Sequence, residues 1–367
     1  MNASVGTKDS EKGCKHLHIA LQITMGARTT ACRSPTAHSH QAPGAIPDNR
    51  PMSTLSHLLI PFAASDSQGC RPALATLRLP HLERLLARLT PTTRDSGPED
   101  SLSPPHERAL ARHHGLAAAD GLIPWAAWRA SQAGQDGAWA FITPCHWQVM
   151  TDHIVMARPD TLGLDEADSR AVLAAVRPYF EEDGIALEYA HPTLWLARSE
   201  IFRGLATASL DRVVSGVGSR NVDDWMPPTA QGGPLRRLQS ETQMLLYTHP
   251  VNDARAERGL LPINSFWVSG SGALAAPPPP AAAPRMPLAL LHAAQNEDWA
   301  GWTAAWQQID AEDCAALLLA AEQGAQVQLT LCGERNAQSF ESVPRSFLQK
   351  ISSIFSRQRL SAVLEQL

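Results

Sequence analysis

The sequence predicts an α/β fold, with an α+β arrangement as the alternative. Segments with the pattern of strands are interspersed along the chain with segments of helical periodicity. The composition is 44% hydrophobic and 18% charged, so the chain carries enough apolar material for a core. Its 367 residues suit one large domain or two ordinary ones.

Local signals define the elements of the first part of the chain. An apolar run at Leu55–Ala64 predicts a buried first strand, and leucines spaced three and four residues apart predict a helix over Pro80–Leu89. Residues 90–105 are polar and rich in proline, which predicts a loop. Asp165 is a suitable N-cap for a helix that extends to about Phe180. The other expected elements are helices at 107–114 and 121–129, strands at 138–142 and 152–157, and a hairpin that pairs 185–189 with 193–197.

The second part contains a candidate linker. A helix over Leu238–Arg258 ends at Gly259, and a short apolar strand, Ile263–Val268, follows it. Residues 275–287 are mostly Pro and Ala, which predicts a polyproline-type linker. We therefore expect an α/β core at 52–274 and a mostly helical part at 288–367 that packs on it. That part has predicted helices at 288–294, 298–309 and 311–323, a strand at 327–331 and an amphipathic tail helix at 347–367.

Residues 1–51 differ from the rest of the chain. They are rich in small and polar residues and show no sustained periodicity. We expect either a mis-called extension, with the true start at Met52, or a disordered leader.

Composition also limits the classes of partner and the cellular locations that we expect. The formal net charge of −5 gives no electrostatic case for nucleic acid or an anionic membrane. No apolar run reaches the roughly 20 residues of a membrane span. The six cysteines show no paired spacing, so free thiols and a cytoplasmic location are expected.

The first candidate site surrounds the strand Ile263–Val268. A strand that ends in a small-residue loop lets a ligand approach the backbone, and polar side chains beside it suggest recognition of a small or anionic group. The alternative is structural, with the asparagines capping turns and the glycines making a tight bend. The candidate residues are His249, Asn252, Arg255, Asn264, Ser269, Gly270 and Gly272.

This segment resembles the archaeal-type, cofactor-independent phosphoglycerate mutases. The shared positions are His249-Pro250-Val251-Asn252, Arg255, Gly259, Pro262-Ile263-Asn264 and the glycines Gly270 and Gly272. The resemblance covers about 25 residues and implies a diverged alkaline-phosphatase-like fold, a mixed sheet flanked by helices. Ser269 stands where that family has an arginine, which weakens an anion-binding interpretation.

A longer resemblance, from about Met52 to Phe340, is to the bacterial RpfE-type regulatory proteins. The similar stretches are Leu58-Leu59-Ile60-Pro61-Phe62-Ala63, Thr143-Pro144-Cys145-His146-Trp147, Thr151-Asp152-His153, Asn264-Ser265-Phe266-Trp267 and Leu331-Cys332-Gly333-Glu334.

Metal ligands that the mutase resemblance implies are missing from this sequence. In that family an Asp-Gly ends the first strand and supplies a metal ligand, whereas here the strand ends in Phe62-Ala63, and Asp66 lies further on. The late Asp-His metal motif is also missing, since no Asp-His pair follows residue 153. The mutase mechanism needs two metal ions, so we expect no metal-dependent catalysis and no cofactor.

A second candidate site follows the strand at 138–142. His146, Asp152 and His153 are weak metal candidates, together with Cys145, but neighbours in a strand point to opposite faces. His191 or His249 would have to complete the shell. Contact with an organic ligand or anion, and structural hydrogen bonding, are the alternatives.

These observations predict a regulatory protein that binds an unknown small ligand or protein partner, on a degenerate mutase-like scaffold. One alternative is a working phosphoglycerate mutase or related metal-dependent enzyme. A second is an interaction module that acts through the tail helix, unless that helix docks on its own domain. One face of the helix carries Phe347, Ile351, Ile354, Phe355 and Ala362.

Overall fold

A computed structural model of the chain describes residues 56–214, 221–342 and 360–367. The prediction for residues 1–51 lies outside these ranges. So does most of the predicted tail helix, of which the structure describes a short helix at Leu360–Leu364.

The first sheet joins the two ends of the chain. It has four strands in the order β1 (His57–Ile60), β9 (Gln328–Cys332), β10 (Asn336–Glu341) and β2 (Thr90–Ser96). β1 and β9 are parallel, with Leu58 opposite Leu329, and the other two pairings are antiparallel. The carboxyl ends of β1 and β9 therefore lie side by side at one edge of the sheet.

The second sheet is antiparallel, in the order β6 (Ala186–His191), β7 (Leu194–Arg198), β3 (Ala138–Cys145) and β8 (Ser265–Ala273). A separate two-stranded ribbon pairs β4 (Trp147–Val149) with β5 (Ile154–Met156). The predicted α/β class, with a mixed sheet and helices around the strands, is confirmed, and a second, antiparallel sheet accompanies the mixed one.

Helices connect and flank the strands. None of those in the described ranges has both the length and the hydrophobicity needed to cross a bilayer. A π-helical segment, Asp310–Cys314, joins α10 to α11. The helices are α1 (Cys70–Thr76), α2 (Pro80–Arg88), α3 (Pro105–His113), α4 (Trp125–Gln132), α5 (Glu166–Glu182), α6 (Leu210–Val213), α7 (Thr229–Tyr247), α8 (Pro250–Glu257), α9 (Ala289–Gln295), α10 (Trp299–Ile309), α11 (Ala315–Glu322) and α12 (Leu360–Leu364).

The alternation of β1 places it between two apolar cores. Leu58 and Ile60 point into a core shared with α2, α10 and α11. Leu59 points the opposite way, into a core that also contains Trp139 and Phe141 of β3. The second core thus links the two sheets, with α3 and α4 packed into it. A third core lies under the antiparallel sheet, against α5 and α7.

Several predicted elements are confirmed. The Asp165 side chain caps α5 by accepting a hydrogen bond of 2.8 Å from the amide of Asp168. The hairpin at 185–197 is the pair β6–β7, and the strand at 327–331 is β9.

Two expectations are wrong. Residues 90–96 form a strand at the sheet edge, and this strand is polar and mostly exposed, so it has no apolar alternation to reveal it. The helix predicted over 238–258 is two helices, α7 and α8, because a helix does not continue into a proline such as Pro250. α7 also begins at Thr229, before the predicted start at Leu238.

The segment predicted as a linker lies against the first sheet. The amide of Leu59 donates to the carbonyl of Arg285 at 2.9 Å, and the amide of Arg285 donates to the carbonyl of His57, also at 2.9 Å. The Arg285 guanidinium pairs with Asp313 at 2.7 Å. A domain boundary at 275–287 stays a prediction, and the two parts on either side of it share one sheet.

Candidate functional site

The carboxyl end of β1 has an unusual backbone. Phe62 has a φ of 53°, a left-handed conformation that is costly for a bulky residue. Two tryptophans of α10 stabilise this turn, since Trp302 Nε1 donates to the Phe62 carbonyl at 2.9 Å and Trp306 Nε1 donates to the Ala63 carbonyl at 3.2 Å. The Ala63 amide donates to the Cys332 carbonyl at 2.7 Å, which ties the turn to the end of β9.

A group of buried ionisable side chains lies near this edge, with the ring of Phe62 6.2 Å from that of His106. His106 and Glu107 occupy the first turn of α3, and Asp211 belongs to α6. Their exposed fractions are only 3%, 4% and 3%. One potential ligand atom from each residue lies within 4.8 Å of the other two. We call these three residues the polar cluster.

Hydrogen bonds fix the side chains of the polar cluster. His106 Nε2 lies 3.1 Å from Asp211 Oδ2, and Gln295 Nε2 of α9 donates to Asp211 Oδ1 at 3.3 Å. The Ser209 hydroxyl donates to Glu107 Oε1 in a short bond. These contacts hold both carboxylates in defined orientations.

Local sequence explains why these residues face inward. Pro104 and Pro105 begin α3, where a missing amide hydrogen costs nothing, so His106 and Glu107 fall on its first turn. Ser209 caps α6, accepting from the amide of Asp211 at 3.2 Å.

Burial dominates the electrostatics of Glu107. Desolvation, aided by the negative charge of Asp211, raises the pKa of the Glu107 carboxyl to about 8. The hydrogen bond from Ser209 and the charge of Arg212 oppose this rise. Glu107 is therefore mostly protonated at neutral pH unless another positive charge replaces the proton.

A rim of polar residues, part of it exposed, follows β1 and β9 near the polar cluster. The Ser65 hydroxyl, after β1, donates to Glu334 Oε1, after β9, in a short bond. Arg335 pairs with Asp66 at 3.3 Å and with Glu99 at 2.9 Å. Arg212 Nη1 donates to the Glu334 carbonyl at 3.3 Å, so the helix that carries Asp211 is joined directly to this rim.

Among the predicted site residues, Arg255 is completely buried. Its guanidinium lies 2.6 Å from Asp168 Oδ2 and also donates to the carbonyls of Leu162 and Leu261. Asn252 donates to the carbonyls of Leu246 and Ile263 and accepts from the amide of Ile263, each at 2.8 Å. Both side chains thus join α8 to neighbouring backbone.

The remaining polar candidates also contact nearby parts of the chain. Asn264 bonds both the amide and the carbonyl of Trp147, and His146 Nδ1 lies 2.8 Å from the Pro262 carbonyl. His249 caps α8. Asp152 is exposed and lies 2.6 Å from His153, so this pair sits on the ribbon turn. His146 and Asn264 come close together, whereas no hydrogen bond among the described residues joins them to His153 or His249.

Hydrogen bonds from β8 hold the backbone segment that leads to Asp211 of the polar cluster. Ser269 is buried, Ser271 Oγ donates to the Leu205 carbonyl at 2.6 Å, and Trp267 Nε1 donates to the Ala208 carbonyl at 3.1 Å. The segment held in this way leads into Ser209 and Asp211. Strand β8 thus positions the backbone that carries one side of the polar cluster.

The position of Gly270 accepts only a residue without a side chain. Its φ is +59°, and a Cβ there would lie 3.0 Å from Trp125 Cβ and 3.1 Å from the Phe141 ring. We expect Gly270→Ala to lower the free energy of unfolding by roughly 2–4 kcal/mol, combining backbone strain and overpacking. Gly259→Ala is the control, because Gly259 has a φ of +70° but no atoms within 4 Å, and it should cost about 1 kcal/mol. Urea unfolding of both variants measures the difference, and equal losses would contradict the packing argument.

The candidate site residues predicted from the sequence lie at 145–153 and 249–272 and do not include the polar cluster. Glu107 and Asp211 are more than 100 residues apart, and no short motif joins them. The available signal was a His-Glu pair directly after two prolines, at the start of a helix that is buried on most of its surface.

No protein-family model and no curated protein matches the chain. Among solved structures it is similar to the cofactor-independent phosphoglycerate mutase from Thermoplasma acidophilum DSM 1728, with 13% identity, a TM-score of 0.31, and coverage of 85% of this chain and 98% of that one. It is also similar to the PH0037 protein from Pyrococcus horikoshii, with 10% identity, a TM-score of 0.38, and coverage of 79% and 87%. Likenesses this low carry no conclusion about the site. The RpfE-type and mutase-like assignments therefore stay predictions.

Proposed function

We propose that the protein is a regulatory protein that binds a small ligand at the carboxyl ends of β1 and β9, and that it does not catalyse metal-dependent phosphoryl transfer. The observation that carries this proposal is the polar cluster behind that edge. Three buried ionisable groups are costly to retain, and such groups concentrate at functional sites.

The position in the sheet supports binding at this edge. Ligands of α/β proteins commonly bind beyond the carboxyl ends of parallel strands. Here those ends carry the buried Ser65 hydroxyl, which bonds Glu334, and the partly exposed side chains of Glu334 and Arg335. The strained Phe62 backbone lies at the same edge, where strain is often kept for function.

The contacts of residues 249–272 support a framework role for that segment. Arg255, Asn252 and Asn264 use their polar atoms on the protein's own backbone and on Asp168. The resemblance to RpfE-type proteins supports a regulatory role. Phe62-Ala63, in place of an Asp-Gly, supports the loss of mutase chemistry.

Binding at the rim is tested with a thermal-shift panel of phosphorylated and carboxylated metabolites on the full-length protein. We expect at least one compound to raise the melting temperature of the wild type but not of Arg335→Gln, because the guanidinium recognises anionic groups. Arg203→Gln is the control, since Arg203 forms a similar exposed ion pair, with Glu200, on another element. A panel without any hit, or a hit that Arg335→Gln retains, would count against this edge.

Mutase activity is the second candidate function, favoured only by the segment resemblance. Full-length protein with Mn²⁺ or Zn²⁺ and 3-phosphoglycerate is expected to form no 2-phosphoglycerate. Turnover that disappears in both Glu107→Gln and Asp211→Asn would replace the binding proposal with catalysis at the polar cluster.

A further inference from the structure

We propose that His106, Glu107 and Asp211 form a binding site for one divalent transition-metal ion of the zinc class. One imidazole and two carboxylates are a common ligand set for such ions. Two ligands on one tetrahedral ion, bound at about 2.1 Å, lie roughly 3.4 Å apart. His106 Nε2 and Asp211 Oδ2 are separated by 3.1 Å, and one atom of Glu107 falls within 4.8 Å of the other ligand atoms.

The surroundings of the three side chains also fit a metal site. Ligating carboxylates are usually oriented by further hydrogen bonds, and here Gln295 holds Asp211 and Ser209 holds Glu107. The side chains are almost fully buried, so the protein shields an ion bound there from bulk solvent, and three protein ligands leave one coordination position for another group.

The proposed ligands differ from those that the mutase resemblance implies. They come from α3 and α6, and not from the end of β1 or from an Asp-His pair. They also do not include the weak metal candidates His146, Asp152 and His153, of which Asp152 is exposed.

Charge balance also fits a cation at this position. Glu107 and Asp211 place two buried carboxylates close together, and buried carboxylates are costly unless a positive charge or a proton offsets them. A divalent cation bound between them supplies that positive charge.

The experiment titrates tag-free, full-length protein, freed of metal by chelation, with Co²⁺. The visible absorption of Co²⁺ reports its coordination, and Zn²⁺ competition reports relative affinity. We expect one ion per chain, at least 100-fold weaker binding in Glu107→Gln and in Asp211→Asn, and unchanged binding in the matched control Asp152→Asn.

Three results would overturn the proposal. They are the absence of stoichiometric binding by folded wild type, loss of binding in Asp152→Asn, and retention of full affinity in a folded Glu107→Gln or Asp211→Asn. If neither variant folds, the wild-type titration decides, since folded wild-type protein that binds no stoichiometric Co²⁺ would exclude the site. Failure here leaves the thermal-shift test of the rim unaffected, so the metal proposal and the binding function can fail separately.

Discussion

Arg255→Met is expected to lower the free energy of unfolding by roughly 3–5 kcal/mol. Arg255 has no exposed surface, and it joins α8 to Asp168 of α5 and to the carbonyls of Leu162 and Leu261. Its removal leaves the carbonyls without donors and Asp168 with one cation fewer. Methionine fills most of the volume, so the loss reports the polar contacts more than a cavity.

Arg258→Met is the matched control for this change. Arg258 lies one turn away and binds the same carboxylate at 2.6 Å, but its side chain is 42% exposed. Solvent screens its ion pair, so we expect a much smaller loss in urea unfolding. Equal losses in the two variants, or a stable Arg255→Met protein, would contradict the framework role of residues 249–272.

The second large effect is expected under acid conditions. Burial, followed by the nearby charges of His113 and His114, lowers the pKa of His57 from 6.5 to about 4. Burial and His113 lower the pKa of His114 to a similar value. Both imidazoles are thus neutral in the folded protein at a pH where they would be charged in the unfolded chain.

The sign of the pH dependence follows from these depressed values. Between pH 6.5 and pH 4 the unfolded chain binds more protons than the folded protein, so stability falls as the pH decreases through this window. The stabilisation is complete above pH 6.5. At about 1.4 kcal/mol per unit, His57 alone accounts for roughly 3 kcal/mol of the loss, and His114 adds to it.

His57→Gln tests this account by chemical unfolding at several pH values. Glutamine does not titrate and can retain a bond to Thr330, whose hydroxyl lies 3.1 Å from His57 Nε2. We expect a shallower loss of stability between pH 6.5 and pH 4 than in the wild type. A wild type equally stable at pH 4.5 and pH 7 would contradict the prediction.

Local signals predicted the elements whose causes are local. The Asp165 cap and the apolar spacing after it defined α5, and the alternation around residue 190 defined the β6–β7 hairpin. The polar edge strand β2 was missed because its stability comes from hydrogen bonds to β10, more than 200 residues away. The pairing of β1 with β9 is equally non-local.

The candidate site was less predictable for the same reason. His106 and Glu107 become neighbours of Asp211 only when α3 and α6 pack behind the end of β1. The segment 249–272 attracted attention because its residues are close in sequence, and the structure shows that strand β8 holds the backbone leading to Asp211. Sequence proximity thus pointed to the strand that supports the polar cluster, and not to the polar cluster itself.

The most direct measurement is anomalous X-ray diffraction at the zinc absorption edge from crystals of the full-length protein grown with Zn²⁺. If the polar cluster is the functional centre, one strong anomalous peak lies between His106, Glu107 and Asp211, with the rim residues Ser65 and Glu334 ordered beside it. A peak at His146, Asp152 and His153 instead, or none at the cluster, would contradict the assignment of the polar cluster as a metal site.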